Sequence, residues 1–296
     1  MKILKFNNGL VEDIILLTVC DDIKKAEFLT ESAKKYKWNL VVLIPFFSKW
    51  NNIIKIKSIN QYFSDTNNDS KFVFFVDAYD VIIQNTPQYA IEVLENIYKL
   101  YNKKIIINDD SYYRTPHFLK NIYHFPRPNS EWGNYDLSEN NFIYKHNTGL
   151  ILAFKDELHN LYKNILEKCV LHNFNFNSDQ KLFGKIYQLY PYIFNNLHKS
   201  RDNYLHHTGY FPNTVDLFDN KKKKIVLKNG IIPLAIHTNG KENNDYRLQQ
   251  FNHINNKLNN TDCLNNCIFC KKKRFISELN ITIKSVFNTL KKGNKI

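Results

Sequence analysis

Methionine appears once in this chain of 296 residues, and glycine and proline only eight times each. So little glycine and proline excludes collagen-like and proline-rich architectures. No apolar run approaches the roughly 20 residues of a membrane-spanning helix. The opening Met1-Lys2-Ile3-Leu4-Lys5 passes into polar Asn7-Asn8 instead of the apolar core of a secretory leader, and Ile14-Ile15-Leu16-Leu17 reads as a strand. A soluble protein of the cytosol, or of a cytosol-like compartment, is expected. Acidic residues are in deficit, 28 against 41 lysines and arginines, which gives a formal charge of +13. Such a surface attracts polyanions or small anions such as sugar nucleotides. Much of the excess is nonetheless compositional, since Lys, Asn, Ile and Tyr are abundant together, as in proteins of AT-rich genomes.

What is present is alternation. Asp13 to Val19, Asn39 to Ile44, Phe72 to Val76 and Lys104 to Ile107 read as strands. Lys24 to Lys35 and Lys55 to Tyr62 read as helices, and Pro87 opens another in which Ile91, Leu94, Ile97 and Tyr98 recur at helical spacing. Alternation of this kind predicts an α/β fold with a largely parallel sheet. Beyond residue 110, Phe142 to Phe154 surrounds an Asn147-Thr148-Gly149 turn, and Glu157 to Leu171 and Ser178 to Tyr190 read as helices. Ile225-Val226-Leu227 and Leu234-Ala235-Ile236 are short strands with an Asn229-Gly230 turn between them.

The chemistry starts where Phe72-Val73-Phe74-Phe75-Val76 ends in Asp77-Ala78-Tyr79-Asp80. Carboxylates just beyond a strand's carboxyl end lie where open α/β sheets bind ligands, and two so close together suit a divalent cation that cancels their repulsion. The same pair also suits an Asx-type turn capping the next element. His237, at the end of a short apolar strand, reads by itself as a strand-end residue with an ordinary hydrogen bond.

Four blocks taken in order carry a resemblance. Asp77-Ala78-Tyr79-Asp80, Tyr144-Lys145-His146-Asn147-Thr148-Gly149, Ser178-Asp179-Gln180 and Pro233-Leu234-Ala235-Ile236-His237-Thr238-Asn239-Gly240 resemble the glycosyltransferase domain of the procollagen lysyl hydroxylases. That family runs D-x-Y-D, N-S-G, D-D-Q and a hydrophobic strand into H-G-N-G. The likeness spans residues 13 to 270 or so, and a stand-alone transferase without the relatives' oxygenase domain is expected. It implies a GT-A, Rossmann-like glycosyltransferase fold with a mostly parallel central sheet over residues 1–242. Residues 243–296 then form a C-terminal helical extension.

The resemblance also implies roles. Asp77, Asp80 and His237 would hold the cation, Mn²⁺ in preference to Mg²⁺ because an imidazole sits beside carboxylates. Tyr79 would stack on uracil, Thr18 would touch uridine, and Lys55 would lie near the donor. Asn239, Gly240 and Lys241 would approach the diphosphate. Asp179 would orient sugar hydroxyls or assist proton removal, unless it only caps a helix, and Asn147 with Gly149 would form the acceptor floor. The implied reaction transfers glucose from UDP-glucose to galactosyl-hydroxylysine of a collagen-like glycoprotein. First-sugar transfer to hydroxylysine, or another UDP-sugar such as UDP-N-acetylglucosamine, stands as the alternative within the class. A basic nucleic-acid-binding module is the alternative outside it.

Two departures from the family are visible. The acidic run before D-Q becomes Asn175-Phe176-Asn177-Ser178, which bears on acceptor recognition, and Asn129 replaces the first tryptophan of W-P-E-W-G while Trp132 matches the second. Cys263, Cys267 and Cys270 cluster, as structural or free thiols or as part of a zinc site with His253. Phe275, Leu279, Ile283, Val286, Phe287 and Leu290 share one helical face, which would pack on its own domain, on a sister subunit in a homodimer, or on a membrane surface.

Overall fold

A computed structural model describes residues 1–46, 50–66, 69–109, 146–174, 176, 178–200, 204–207, 217–219, 224–226 and 231–237. Among these, seven strands form the central sheet. They are β1 (Lys2–Asn7), β2 (Ile14–Val19), β3 (Asn39–Ile44), β4 (Phe72–Val76), β6 (Ile105–Asp109), β7 (His146–Phe154) and β8 (Leu197–Ser200), in the spatial order β1-β3-β2-β4-β7-β6-β8. Five of the seven share one direction, and β1 and β7 run against it. The expected α/β class and mostly parallel sheet are observed.

Every residue of β2 and of β4 is buried, because each strand serves two cores at once. Successive side chains of a strand point to opposite faces. Ile14, Leu16, Phe72, Phe74 and Val76 therefore pack on one face, against Leu29 and Ala33 of helix α1 (Glu27–Lys35) and Ala90, Leu94 and Ile97 of α3 (Pro87–Tyr101). Ile15, Leu17, Val73 and Phe75 pack on the other. There they meet Ile56, Ile59 and Tyr62 of α2 (Ile53–Asp65), Leu158, Leu161 and Ile165 of α4 (Lys155–Leu171), and Leu182, Phe183 and Ile186 of α5 (Asp179–Leu189). Each large side chain so buried contributes about 1.5–3 kcal/mol.

Local signals set the ends of the helices. Thr86 caps α3 by accepting the Tyr89 N–H, with Pro87 behind it, and Asn102 closes the helix in the left-handed region at φ 51°. Ser178 caps α5 through the Lys181 N–H, so Asp179 occupies its first turn.

A smaller sheet lies beside β6 and β7 of the large one. β5 (Val81–Ile83) pairs antiparallel with β12 (Ala235–His237), which pairs in parallel with β9 (Leu205–His207). The sequence suggested instead that the strand near residue 225 turns back onto the one near 235. In the structure β11 (Lys224–Val226) pairs with β10 (Leu217–Asp219), and β12 is taken up by the fully buried β5. The Asn229-Gly230 turn lies outside the described residues, as do Asn129, Trp132, the cysteines at 263, 267 and 270, and the stretch 275–290.

Candidate metal centre

Asp77 follows the last residue of β4, Asp80 precedes β5, and His237 ends β12. The β5–β12 register sets His237 opposite Val81, so a three-residue strand carries the imidazole to the aspartates. Ligating atoms of Asp77, Asp80 and His237 all lie within 4.8 Å of one another. His237 Nε2 is 3.3 Å from Asp80 Oδ1 and 3.5 Å from Asp77 Oδ2. The imidazole is buried, while both carboxylates remain partly open to solvent.

The remaining wall comes from β7. Its pairing with β6 jumps from Ile107↔Ile151 to Asn108↔Asn147, so Thr148–Leu150 bulge away from β6 while Leu150 still pairs with Val76 of β4. Bulges re-aim chain segments beside functional sites. Here the bulge brings Gly149 against the cluster, and its carbonyl accepts the Asp77 N–H at 2.8 Å. A Cβ at Gly149 would fall 2.1 Å from His237 Cε1 and 2.7 Å from Asp77 Oδ2. Only glycine fits. Asn147, fully buried, accepts the Gly149 N–H through Oδ1 at 2.9 Å, and its amide nitrogen has no hydrogen-bond partner among the described residues.

Lys55 ties this cluster to Asp179. Its ammonium lies 2.7 Å from Asp77 Oδ1 and 2.9 Å from Asp179 Oδ2, with the lysine only 7% exposed and Asp179 3%. A cation in the first turn of a helix opposes the helix dipole, so α2 carries Lys55 there against local preference, and the two carboxylates compensate. Burial acts to lower the Lys55 pKa, but Asp179 and Asp77 outweigh it and hold the ammonium above its ordinary value. Burial raises the Asp77 carboxyl, opposed by Lys55 and His237. Burial pulls His237 down, yet Asp80 and Asp77 carry it above the usual imidazole value.

These residues fit a divalent cation. Three carboxylates, Asp77, Asp80 and Asp179, and one ammonium leave two formal negative charges beside the imidazole of His237. Oxygen donors with one nitrogen suit first-row ions such as Mn²⁺, and the cradle is shaped by the absence of a side chain at Gly149.

Of the residues singled out in the sequence, Asp77, Asp80, His237, Lys55, Asp179, Asn147 and Gly149 converge. Thr18 is fully buried, and its hydroxyl donates to the Val76 carbonyl at 2.8 Å, which locks the end of β2 to the end of β4. Tyr79 sits at the rim with its ring partly exposed and Lys25 Nζ 6.0 Å from the ring centroid. Its hydroxyl accepts the Asp21 and Asp22 N–H groups at 2.9 and 3.1 Å and donates to the Asp21 carboxylate. Asn239, Gly240 and Lys241 lie outside the described residues. The Asp21-Asp22 pair was not anticipated, although two carboxylates after a buried strand are the same signal that marked Asp77 and Asp80. Tyr162 was also missed. It is 2% exposed, and its pKa is raised by burial and then by Asp179.

No protein-family model and no curated protein matches this sequence. Among solved structures the chain is similar to a glycosyltransferase involved in the glycosylation of the major capsid of PBCV-1, at 14% identity and a TM-score of 0.45, over 82% of this chain and 98% of that one.

Proposed function

We propose that the chain is a divalent-cation-dependent glycosyltransferase that uses a UDP-sugar, transferring glucose to galactosyl-hydroxylysine of a collagen-like acceptor with retention at the anomeric carbon. The observation that carries this reading is the convergence of Asp77, Asp80 and His237 from separate parts of the chain. The order of sequence blocks shared with the lysyl hydroxylase glycosyltransferase domain supports the choice of donor and acceptor. When bound by these three residues, the cation would supply Lewis-acid neutralisation of the departing diphosphate.

The chain's own groups divide the remaining work. Tyr79, pinned at its hydroxyl by the Asp21-Asp22 turn, offers a ring of fixed orientation for a base to stack on. The Asn147 amide nitrogen, buried and without a hydrogen-bond partner among the described residues, suits donation to a sugar oxygen, since a buried donor left unmatched costs about 1–3 kcal/mol. Asp179 accepts from the Gln180 N–H at 2.9 Å and from Lys55, which fixes the carboxylate in place for orienting sugar hydroxyls. In the retaining step the acceptor oxygen bonds to the anomeric carbon on the face from which the diphosphate oxygen leaves, and the acceptor's proton passes to that diphosphate.

The test is UDP release across a panel of UDP-sugars, with and without Mn²⁺, for wild type and Asp77→Ala. One preferred donor, dependence on Mn²⁺ and loss of turnover in a folded Asp77→Ala variant are expected. Turnover that ignores both the ion and Asp77 refutes the reading.

A further inference from the structure

The two oxygens of Asp77 face different partners. Oδ2 lies toward His237, whereas Oδ1 is 2.7 Å from the Lys55 ammonium. That ammonium is anchored from behind by Asp179 Oδ2 at 2.9 Å, and Asp179 is itself fixed at the start of α5 by accepting the Gln180 N–H through Oδ1. Side-chain exposure is 8% for Lys55 and 5% for Asp179. An ammonium held this way cannot swing aside without leaving two carboxylates, one of them buried, without their counter-charge.

We propose that Lys55 is a positioning residue that confines Asp77 to a single ligating oxygen and thereby selects six-coordinate ions such as Mn²⁺ against Ca²⁺. The inference rests on the reading of Asp77, Asp80 and His237 as a cation site. Calcium takes six to eight oxygens and often uses both oxygens of a carboxylate, so a centre whose Asp77 Oδ1 is occupied loses a ligand that calcium needs. An ion content with six ligands, one of them an imidazole nitrogen, loses nothing. Selectivity is thus set on a helix that contributes no ligand of its own.

The experiment is titration of Mn²⁺ into the full chain, followed by the electron paramagnetic resonance signal of the free ion, with Ca²⁺ as competitor. Wild type should bind Mn²⁺ and yield it only to a large excess of Ca²⁺. In Lys55→Met the ratio of the Ca²⁺ to the Mn²⁺ dissociation constant should fall by about tenfold, as Asp77 becomes free to chelate. A merely structural lysine would weaken both ions alike and leave the ratio unchanged, as would a general electrostatic effect, since the ions carry equal charge. Should Lys55→Met fail to fold, Lys55→Met/Asp179→Asn removes one charge of each sign and reads the same freedom of Asp77. An unchanged ratio in a folded variant overturns the proposal. Absence of Mn²⁺ binding by wild type overturns the cation site itself, which is a separate and distinguishable failure.

Discussion

Replacing Gly149 by alanine tests the cradle with one methyl group. The added Cβ would stand 2.1 Å from His237 Cε1, where carbons in contact keep about 3.5–4.0 Å, so the imidazole or the strand must yield by roughly 1.5 Å. Ligand distances in a metal site tolerate about 0.2 Å, so a shift of that size takes His237 out of reach. Disturbing the support of a metal ligand weakens affinity by about 10–100-fold, and overpacking costs about 1–3 kcal/mol of stability.

Thermal melts with and without Mn²⁺ separate the two effects. At an ion concentration a hundred times the wild-type dissociation constant, binding stabilises wild type by about 2.7 kcal/mol. A hundredfold weaker Gly149→Ala variant at the same concentration gains only about 0.4 kcal/mol. Gly184→Ala is the control. Nothing lies within 4 Å of a Cβ built there on α5, so it should gain up to about 1 kcal/mol from helix propensity and keep the full ion-dependent increment. Gly149→Ala with undiminished Mn²⁺ affinity and an unchanged increment refutes the geometry.

Three further outcomes are expected. Because Asp80 and Asp77 hold the His237 pKa above its ordinary value of about 6.5, and a protonated imidazole cannot ligate, Mn²⁺ affinity should fall as pH drops through that raised value. The ion-free protein behaves oppositely. A raised folded-state pKa gives His237 a stabilising contribution that is complete below about 6.5 and is lost as pH rises through the folded value, so titrations and melts across this window should trend in opposite directions. Cys20 is fully buried and its thiol is pushed up to about 11 by burial and then by Asp21 and Asp22. Mapped alkylation near about pH 8 should therefore spare it in the native chain and label it after denaturation. Trp38 Nε1–H donates to the Asn85 carbonyl at 2.7 Å in the core, so Trp38→Phe should cost about 1–3 kcal/mol in urea unfolding with an unchanged slope.

Much of the fold was legible because its central strands are buried on both faces. Continuous apolar runs mark β2 and β4, and Pro87 marks the start of α3. β1 escaped notice because it is an edge strand with half-exposed side chains, held by its backbone ladder to β3. The β5–β12 pairing escaped as well, since three-residue strands carry no usable periodicity and their partners lie far apart along the chain. Asp77 and Asp80 were visible from their position after an apolar strand. His237 was a candidate only through resemblance, and nothing local distinguishes it from any strand-end histidine. The bridge made by Lys55 was hidden for a different reason. A lysine early in a helix reads as solvated, and only the approach of α5 supplies the second carboxylate that buries it.

The pairing of β12 with β5 has a consequence for the order in which the protein becomes competent during synthesis. Among the described residues, every strand of the large sheet is complete by Ser200, so a chain of that length already contains the two aspartates, the lysine and the glycine. It still lacks the imidazole, which arrives only when Ala235–His237 docks beside Val81–Ile83. The cluster of Asp77, Asp80 and His237 is thereby incomplete until this late clasp closes, and a product ending at Ser200 would lack one of the three candidate ligands together with the core residues Leu205, Leu234 and Ala235.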